Sequence, residues 1–358
     1  MRILILLLSI LCINLYSQTP LKINKFLDGI TVYDITGDGK NIWVATNGNG
    51  IFSYSPEKSK WDNYSTSNGK LQLNFFYAID ANKDFVWAGS TDGFFIFDKK
   101  RGNWTKRKFG LGGQLSNWIR SVKYDPLENV VWIGRFKYLT RYDLAQRRFT
   151  DIDLTTKNDE KTNTIKTIQI DGDSLVWFGT ENGLHKYDKS RKIEDTDNIK
   201  FYDNTRNYFK GDGDAVSISA LLLEQGNVWI GLDEFITKSN PDYNLGGIYK
   251  YDRRYEWLRF DTKNGLSGNG VFDMAQTGNF IWISLYQFSI ETKEPYGRGL
   301  ALINRQTEEV IPLYDTGLPS VVYSLYYDGR YLWMGAKDGL YQLDLSNNFV
   351  TDFSKLRK

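Results

Sequence analysis

The sequence predicts an all-β fold, a seven-bladed β-propeller with four antiparallel strands per blade and a closed ring. One pattern occurs seven times, a tryptophan followed two positions later by a small residue. The seven pairs are Trp43/Ala45, Trp87/Gly89, Trp132/Gly134, Trp177/Gly179, Trp229/Gly231, Trp282/Ser284 and Trp333/Gly335. Successive tryptophans are 44, 45, 45, 52, 53 and 51 residues apart, and such periods are typical of four-stranded propeller blades.

The strands within one repeat are clearest between residues 165 and 188. Ile165 to Ile170 reads as a first strand, Leu175 to Thr180 as a second and Leu184 to Tyr187 as a third, with a tight turn at Asn182-Gly183. A more polar fourth strand follows in most repeats. Because no segment shows helical periodicity, four strands per repeat and seven repeats indicate a ring of blades.

The repeated tryptophans and small residues are predicted to be scaffold. A tryptophan on the second strand can fill the wedge between neighbouring blades, and the small residue on the same face leaves room for it. Short side chains also occupy one register of the innermost strand: Asp34, Ala78, Ser121, Thr167, Ala220, Asp273 and Ser324. Two segments compete for the outer strand of the seventh blade, Leu21 to Phe26 and Phe349 to Phe353.

Residues 1–17 have the features of a cleaved signal peptide, with Arg2 followed by the apolar run Ile3 to Leu15. We therefore expect residues 18–358 to form one propeller domain, monomeric, in the periplasm or outside the cell. The only cysteine, Cys12, lies in the signal segment, so the mature chain has no disulfide. Removing Arg2 leaves 44 basic against 43 acidic residues, a balance that gives no attraction to nucleic acid, and no later segment is apolar enough to span a membrane.

Four of the repeats share a longer pattern. The strings IWVATNGNGIFSYS, VWAGSTDGFFIFD, VWFGTENGLHKYD and LWMGAKDGLYQLD resemble the two-component regulator propeller repeat. That resemblance implies the fold of periplasmic sensor domains, many of which respond to polysaccharide breakdown products. Sensors of this type combine two propellers with a β-sandwich, a membrane helix and a kinase. The present sequence holds one propeller without the other parts, so we expect that it cannot signal across a membrane by itself.

Three irregular segments interrupt the repeats. Blade five replaces its two-residue turn with Asp233 to Leu245, and blade six replaces it with Leu285 to Arg298. The connection from blade four to blade five is also long and includes Arg206 and Tyr208. These segments open on the same face of a propeller, so we expect them to cluster there and to carry a binding site, although tolerated surface insertion would give the same pattern.

Trp118 is the tryptophan that fits neither the anchor nor the outer-strand pattern. It precedes an inner strand, near the turn of blade three where Arg135 replaces the usual Thr or Ser. An exposed tryptophan with arginine and tyrosine can stack on a sugar ring, whereas a buried one would pack beneath a loop. The predicted ligand-binding residues are Asn117, Trp118, Arg120, Arg135, Tyr138, Arg206, Tyr208, Asp233, Tyr286 and Arg298.

The sequence favours a non-catalytic role. His185, the only histidine, lies in the middle of a strand, and no nucleophile, base or metal-ligand set can be built around it. We predict no catalytic residue, no metal and no cofactor. A calcium ion at Gly211-Asp212-Gly213-Asp214 stays open, although this segment lacks the ligand spacing of an EF-hand.

Three functions fit these features. The first is a binding module for a glycan fragment or a cell-envelope protein. The ligand would lie on the face that carries the irregular segments, which we call the looped face. The second is a lyase acting on a polysaccharide or antibiotic, since some seven-bladed propellers are lyases. The third is a structural subunit that docks within an envelope complex through its outer strands.

Overall fold

A computed structural model describes residues 21–206, 208–313 and 316–345. The predicted signal peptide, the segment Phe349 to Phe353 and the side chain of Arg206 lie outside the described residues. In the described part, no helix has the length and apolar character needed to cross a bilayer.

Seven four-stranded antiparallel sheets follow one another along the chain, which confirms the predicted blades. The inner strands are β2 (Val32–Gly37), β6 (Phe76–Ala81), β10 (Ile119–Asp125), β14 (Ile165–Asp171), β18 (Ile218–Leu223), β22 (Gly270–Thr277) and β26 (Val322–Tyr327). The second strands are β3 (Ile42–Thr46), β7 (Phe85–Ser90), β11 (Val130–Arg135), β15 (Leu175–Thr180), β19 (Val228–Phe235), β23 (Phe280–Ser289) and β27 (Tyr331–Ala336).

The two remaining strands of each blade lie further from the hub. The third strands are β4 (Ile51–Ser55), β8 (Gly93–Asp98), β12 (Leu139–Asp143), β16 (Leu184–Asp188), β20 (Asn244–Tyr251), β24 (Glu294–Asn304) and β28 (Gly339–Asp344). The outer strands are β5 (Lys60–Tyr64), β9 (Asn103–Arg107), β13 (Arg148–Ile152), β17 (Lys200–Tyr202), β21 (Trp257–Phe260), β25 (Val310–Leu313) and, for blade seven, β1 (Ile23–Phe26). Short 3₁₀ helices occupy Gln114–Asn117, Glu160–Asn163, Thr196–Asn198, Asn204–Arg206, Tyr208–Gly211 and Thr262–Asn264.

The N-terminal strand β1 is the fourth strand of blade seven among the described residues, and the competing segment Phe349 to Phe353 lies outside them. It pairs antiparallel with β28, from Ile23 opposite Leu343 to Phe26 opposite Leu340. The Phe26 ring lies 6.0 Å from Trp333 of blade seven and 5.6 Å from Tyr54 of blade one. The Phe26 ring of this strand therefore contacts both blade seven and blade one.

The anchor tryptophans fill the interfaces between blades, as predicted, and all seven are buried. Trp132 of blade three belongs to one hydrophobic cluster with Ile168 and Phe178 of blade four. The residue two positions after Trp132 must be small because the neighbouring side chains come very close to it. A Cβ added at Gly134 would lie 2.2 Å from the Ser121 hydroxyl and 2.8 Å from the Ile165 side chain. Burial of such large apolar side chains is the main favourable term in folding.

On the face opposite the irregular segments, ion pairs join successive blades. In each pair an acid at the end of one inner strand meets a base one or two residues after the third strand of the next blade. The pairs are Asp38–Lys99, Asp125–Lys189, Asp171–Arg253 and Glu224–Arg305. In blades one, four and five the acid also accepts a hydrogen bond from the indole Nε1 of its own anchor tryptophan.

We expect the Asp125–Lys189 pair to be the most costly of these contacts to break. Both side chains are almost fully buried, so Asp125→Ala leaves the Lys189 ammonium without its partner and should lower the free energy of unfolding by roughly 3–5 kcal/mol. Urea denaturation measures this change. The control is Asp28→Ala, which removes an exposed partner of Lys25 and should change stability much less. Equal losses of unfolding free energy in the two variants would contradict the expectation that the Asp125–Lys189 pair is the more costly to break.

Candidate functional site

Every inner strand contains a β-bulge near its start. In each blade the register against the second strand shifts between two residues that flank one extra residue. The extra residues are Tyr33, Tyr77, Arg120, Lys166, Ser219, Phe272 and Tyr323. A bulge leaves its extra residue outside the ladder and redirects its side chain. Because the strand starts pair with the ends of the second strands, all seven bulge residues lie on the face that carries the irregular segments.

Four consecutive blades present aromatic bulge residues that touch one another. Ring centroids are 5.2 Å apart for Phe272 and Tyr323, 5.1 Å for Tyr323 and Tyr33, and 5.0 Å for Tyr33 and Tyr77. Trp118 continues the series, 6.1 Å from Tyr77. We call these five residues the aromatic arc. All five are half-buried, so each ring keeps an accessible part.

Trp118 is held in place on its other side by Phe136. The two rings are almost parallel, at an interplanar angle of 3° and a centroid distance of 5.5 Å. The guanidinium carbon of Arg120 lies 5.3 Å from the centre of the Trp118 ring, within the range of a cation–π contact. Trp118 therefore packs on a loop residue and also belongs to the arc, and its half-buried side chain is neither fully exposed nor fully covered.

A pocket of about 460 Å³ adjoins the arc at Arg120. We call it the charged pocket, because Arg120, Lys166, Glu181 and Asp233 line it. Arg120 Nη1 lies 2.5 Å from Glu181 Oε1, and the ammonium of Lys166 contacts the carboxylate of Asp233. The two ionic pairs therefore stand side by side on blades three to five.

Asp233 is the centre of the hydrogen-bond network in the charged pocket. Its Oδ2 accepts from Lys166 and from the Ser217 hydroxyl at 2.6 Å, and its Oδ1 accepts from the Tyr286 hydroxyl at 3.1 Å. Burial by itself would raise the pKa of Asp233, but the charges of Lys166 and Arg120 and the hydrogen bonds from Lys166 and Ser217 together outweigh burial and hold that pKa below its usual value. Asp233 is therefore ionised at neutral pH.

The irregular segments of blades five and six come together beside this pocket. The hairpins β19–β20 and β23–β24 extend past the other second and third strands, and the rings of Phe235 and Phe288 lie 4.8 Å apart. Glu234 Oε2 accepts a hydrogen bond of 2.6 Å from the Phe288 amide. The connection from blade four joins them, because the Asp214 amide donates to Tyr243 O at 3.1 Å. The expected cluster of irregular segments therefore forms on one face.

Three residues predicted to bind ligand make contacts within the protein. The buried Asn117 side chain accepts from the Phe109 amide at 2.7 Å and donates to the Phe109 carbonyl at 3.1 Å. Tyr208 packs edge to face on Tyr202. Arg298 is exposed, and its Nε donates to Gln287 Oε1 at 3.0 Å.

Arg135 and Tyr138 also lie away from the charged pocket. The Arg135 side chain is fully buried, 4.5 Å from the Phe109 ring and 5.5 Å from the Tyr138 ring, and 3.1 Å from Asp151 Oδ1. Burial lowers the pKa of Arg135 to about 10, so it remains charged at neutral pH. At the matching position of blade one, Thr46 instead donates to Gly50 O. Arg135 therefore acts as a packing residue beneath the turn of blade three.

His185 is buried in strand β16, and its Nε2 lies 2.9 Å from the Thr162 carbonyl oxygen. Because a carbonyl only accepts, the neutral ring carries its proton on Nε2. Burial lowers the pKa of His185 to about 4. The imidazole is therefore neutral at physiological pH and committed to a backbone contact.

The acidic loop considered for calcium is occupied by protein contacts. Asp212 accepts from the Tyr249 hydroxyl at 2.7 Å and pairs with Arg259 at 3.1 Å. Asp214 accepts from Asn240 at 2.7 Å. Within residues 21–206, 208–313 and 316–345, no group of three or more His, Cys, Asp or Glu side chains is placed to hold a metal ion.

Lys166, Glu181 and four members of the aromatic arc were missed by the sequence analysis. The sequence does contain a signal for the bulge residues. Each one directly precedes a short side chain of the innermost strand, as Tyr33 precedes Asp34 and Phe272 precedes Asp273. Glu181 follows the last residue of β15 in the turn toward β16. No local sequence pattern predicts its pairing with Arg120 of the previous blade.

Solved structures resemble this fold at low sequence identity. The chain matches the extracellular domain of the hybrid two component system BT4673 from B. thetaiotaomicron with a TM-score of 0.66 and 17% identity, over 90% of this chain and 40% of that one. It matches streptogramin B lyase with a TM-score of 0.61 and 12% identity, over 90% of this chain and 97% of that one. PorZ, a surface component of the type-IX secretion system of Porphyromonas gingivalis, gives 0.61 and 13%, over 88% of this chain and 46% of that one.

These similarities concern the propeller fold. The chain spans about two fifths of the BT4673 domain. No protein-family profile matches the sequence, and no curated protein matches it.

We expect His185 to make stability depend on pH. Between pH 6.5 and pH 4 the unfolded chain binds a proton on this ring that the folded chain does not, so stability falls as the pH falls. From pH 7 to pH 4.5 the free energy of unfolding should drop by roughly 2 to 3 kcal/mol more in the wild type than in His185→Gln, as measured by urea denaturation. Parallel pH profiles of the two proteins would show that the ring titrates normally.

Proposed function

We propose that this chain is a non-catalytic binding module that holds an oligosaccharide across the aromatic arc and the charged pocket. The observation that carries the proposal is their continuity at Arg120. Its guanidinium lies over Trp118 of the arc and pairs with Glu181 of the pocket. A sugar chain needs both surfaces, because its rings have apolar faces and its edges carry hydroxyl groups.

The dimensions and chemistry of the two surfaces support this choice of ligand. A pocket of about 460 Å³ lies within the usual range for small-molecule sites. Burial raises the pKa of Tyr33, Tyr77 and Tyr323, so these phenols stay neutral and able to donate hydrogen bonds. Charged side chains form stronger hydrogen bonds with hydroxyl groups than neutral ones do. The arc can therefore stack on sugar rings while the pocket binds their hydroxyls.

We also propose that the seven blades form a closed ring and that this ring fixes the site. Two contacts at the junction of blades one and seven support closure. Tyr33 lies 5.1 Å from Tyr323, and Phe26 packs between Trp333 and Tyr54. A closed ring would hold the bulge residues at constant separations and so lower the entropic cost of binding.

The place of action proposed here is the periplasm or the cell exterior, reached after cleavage at residue 17, and the proposed form is a monomer. The apolar segment Ile3 to Leu15 supports export. An envelope protein is the alternative partner for the same face, where the paired hairpins of blades five and six expose Phe235.

The site is tested first by a thermal-shift screen of residues 18–358 against an oligosaccharide panel. A ligand at a hundredfold excess over its Kd should add roughly 2.7 kcal/mol of apparent stability. We expect Trp118→Ala to weaken binding of the active oligosaccharide about tenfold, because the indole loses its stacking contact. The control is Tyr255→Ala, which removes a highly exposed aromatic ring from a turn of the opposite face and should leave affinity unchanged.

The other outcomes of this screen discriminate between functions. If the Trp118 and Tyr255 variants lost the same amount of oligosaccharide affinity, the binding site would not lie on the looped face. Chromatography of the incubated oligosaccharides would detect cleavage products, which would make the chain a lyase that works without His185. If no oligosaccharide raised the melting temperature and a stoichiometric protein partner co-purified with the chain, glycan binding would be overturned in favour of the structural function.

A further inference from the structure

We infer that the oligosaccharide bound here is neutral, and that Glu181 is the residue that excludes acidic sugar chains. This inference rests on the proposed function and names the substrate class of the same site. It follows from how the charges of the pocket are balanced.

The charges that line the pocket are equal in number. Three basic and three acidic side chains of the described residues line it: Arg120, Lys161, Lys166, Glu181, Asp233 and Glu234. A site built for a uronate or a sulfated sugar needs cations in excess, because each anionic group must find its own partner. The pocket offers no such excess.

The two cations at the centre are already paired with carboxylates. Arg120 is bound to Glu181 at 2.5 Å, and Lys166 is bound to Asp233, which also accepts from Ser217 and Tyr286. A carboxylate on the ligand would have to displace one of these partners or lie beside it, and like charges at such distances repel strongly. A hydroxyl group, by contrast, donates to the carboxylate and accepts from the cation, so it can bridge an existing pair.

Of the two paired acids, Glu181 is the one with hydrogen-bonding capacity left for a ligand. The side chains of Glu181 and Asp233 are similarly exposed, at 29% and 24%, but Asp233 already accepts from three donors, whereas Glu181 accepts from Arg120. The backbone of Glu181 is fixed, because its amide donates to the Thr164 carbonyl at 3.1 Å. Glu181→Gln should therefore keep the shape of the turn and change only the charge.

The experiment measures Kd by isothermal titration calorimetry for hexasaccharides of equal length. One set contains glucose, mannose and galactose chains, and the other contains glucuronate, mannuronate and galacturonate chains. We expect the wild type to bind a neutral chain and to bind its acidic counterpart at least tenfold more weakly. In Glu181→Gln the freed guanidinium should strengthen binding of the acidic chain at least tenfold, with an affinity that falls as salt is added.

The matched control is Glu160→Gln. It removes the same charge from a neighbouring turn, where Glu160 is exposed and pairs with Lys137 outside the pocket. We expect this variant to keep the wild-type preference. A gain for acidic chains in both variants would mean that the net charge of the protein, and not Glu181, sets the preference, and would overturn the inference.

The reciprocal variant Arg120→Gln gives an independent test. It leaves Glu181 without its cation, so it should gain affinity for a protonated glucosamine hexamer, at least fivefold over the wild type. A wild type that prefers acidic chains, or variants without either gain, would overturn the inference while leaving glycan binding intact. Absence of binding by every hexasaccharide would overturn the proposed function as well.

Discussion

The packing of each anchor tryptophan against the next blade is the contact on which the whole structure depends. A single four-stranded blade cannot bury its own faces, so neighbouring blades must approach until the tryptophan fills the wedge between them. That approach is possible only because the residue two positions later is small, as Gly134 shows beside Ile165. Once the wedges are filled, the inner strands lie side by side, and their first residues are brought together on one face.

The site follows from a feature that all blades share. The same bulge occurs in every inner strand, but the residue it presents differs, from Tyr33 and Phe272 on one side to Arg120 and Lys166 on the other. The backbone repeat therefore supplies the geometry, and the identity of the side chain supplies the chemistry. This division explains why a nearly symmetric scaffold carries an asymmetric surface, aromatic over four blades and ionic over two.

Ion pairs serve two different purposes on the two faces. Asp125 and Lys189 are almost fully buried and join two blades, so their partnership is part of the scaffold. Arg120 and Glu181 also join two blades, but they remain partly exposed at the charged pocket, the ligand site proposed above. Partial exposure keeps the cost of desolvation low and leaves hydrogen-bonding capacity for a bound molecule.

The sequence by itself determined the number of blades, the strands of each repeat and the segments that extend blades five and six, because strand periodicity and turn residues are local signals. Tertiary structure alone decided that β1 completes blade seven, that Arg135 is buried, and that Tyr33 meets Tyr323. Those outcomes depend on contacts between residues far apart in the chain. The alternation of residues along a strand indicates which face each side chain occupies. Contacts with the next blade decide whether that face is buried or exposed.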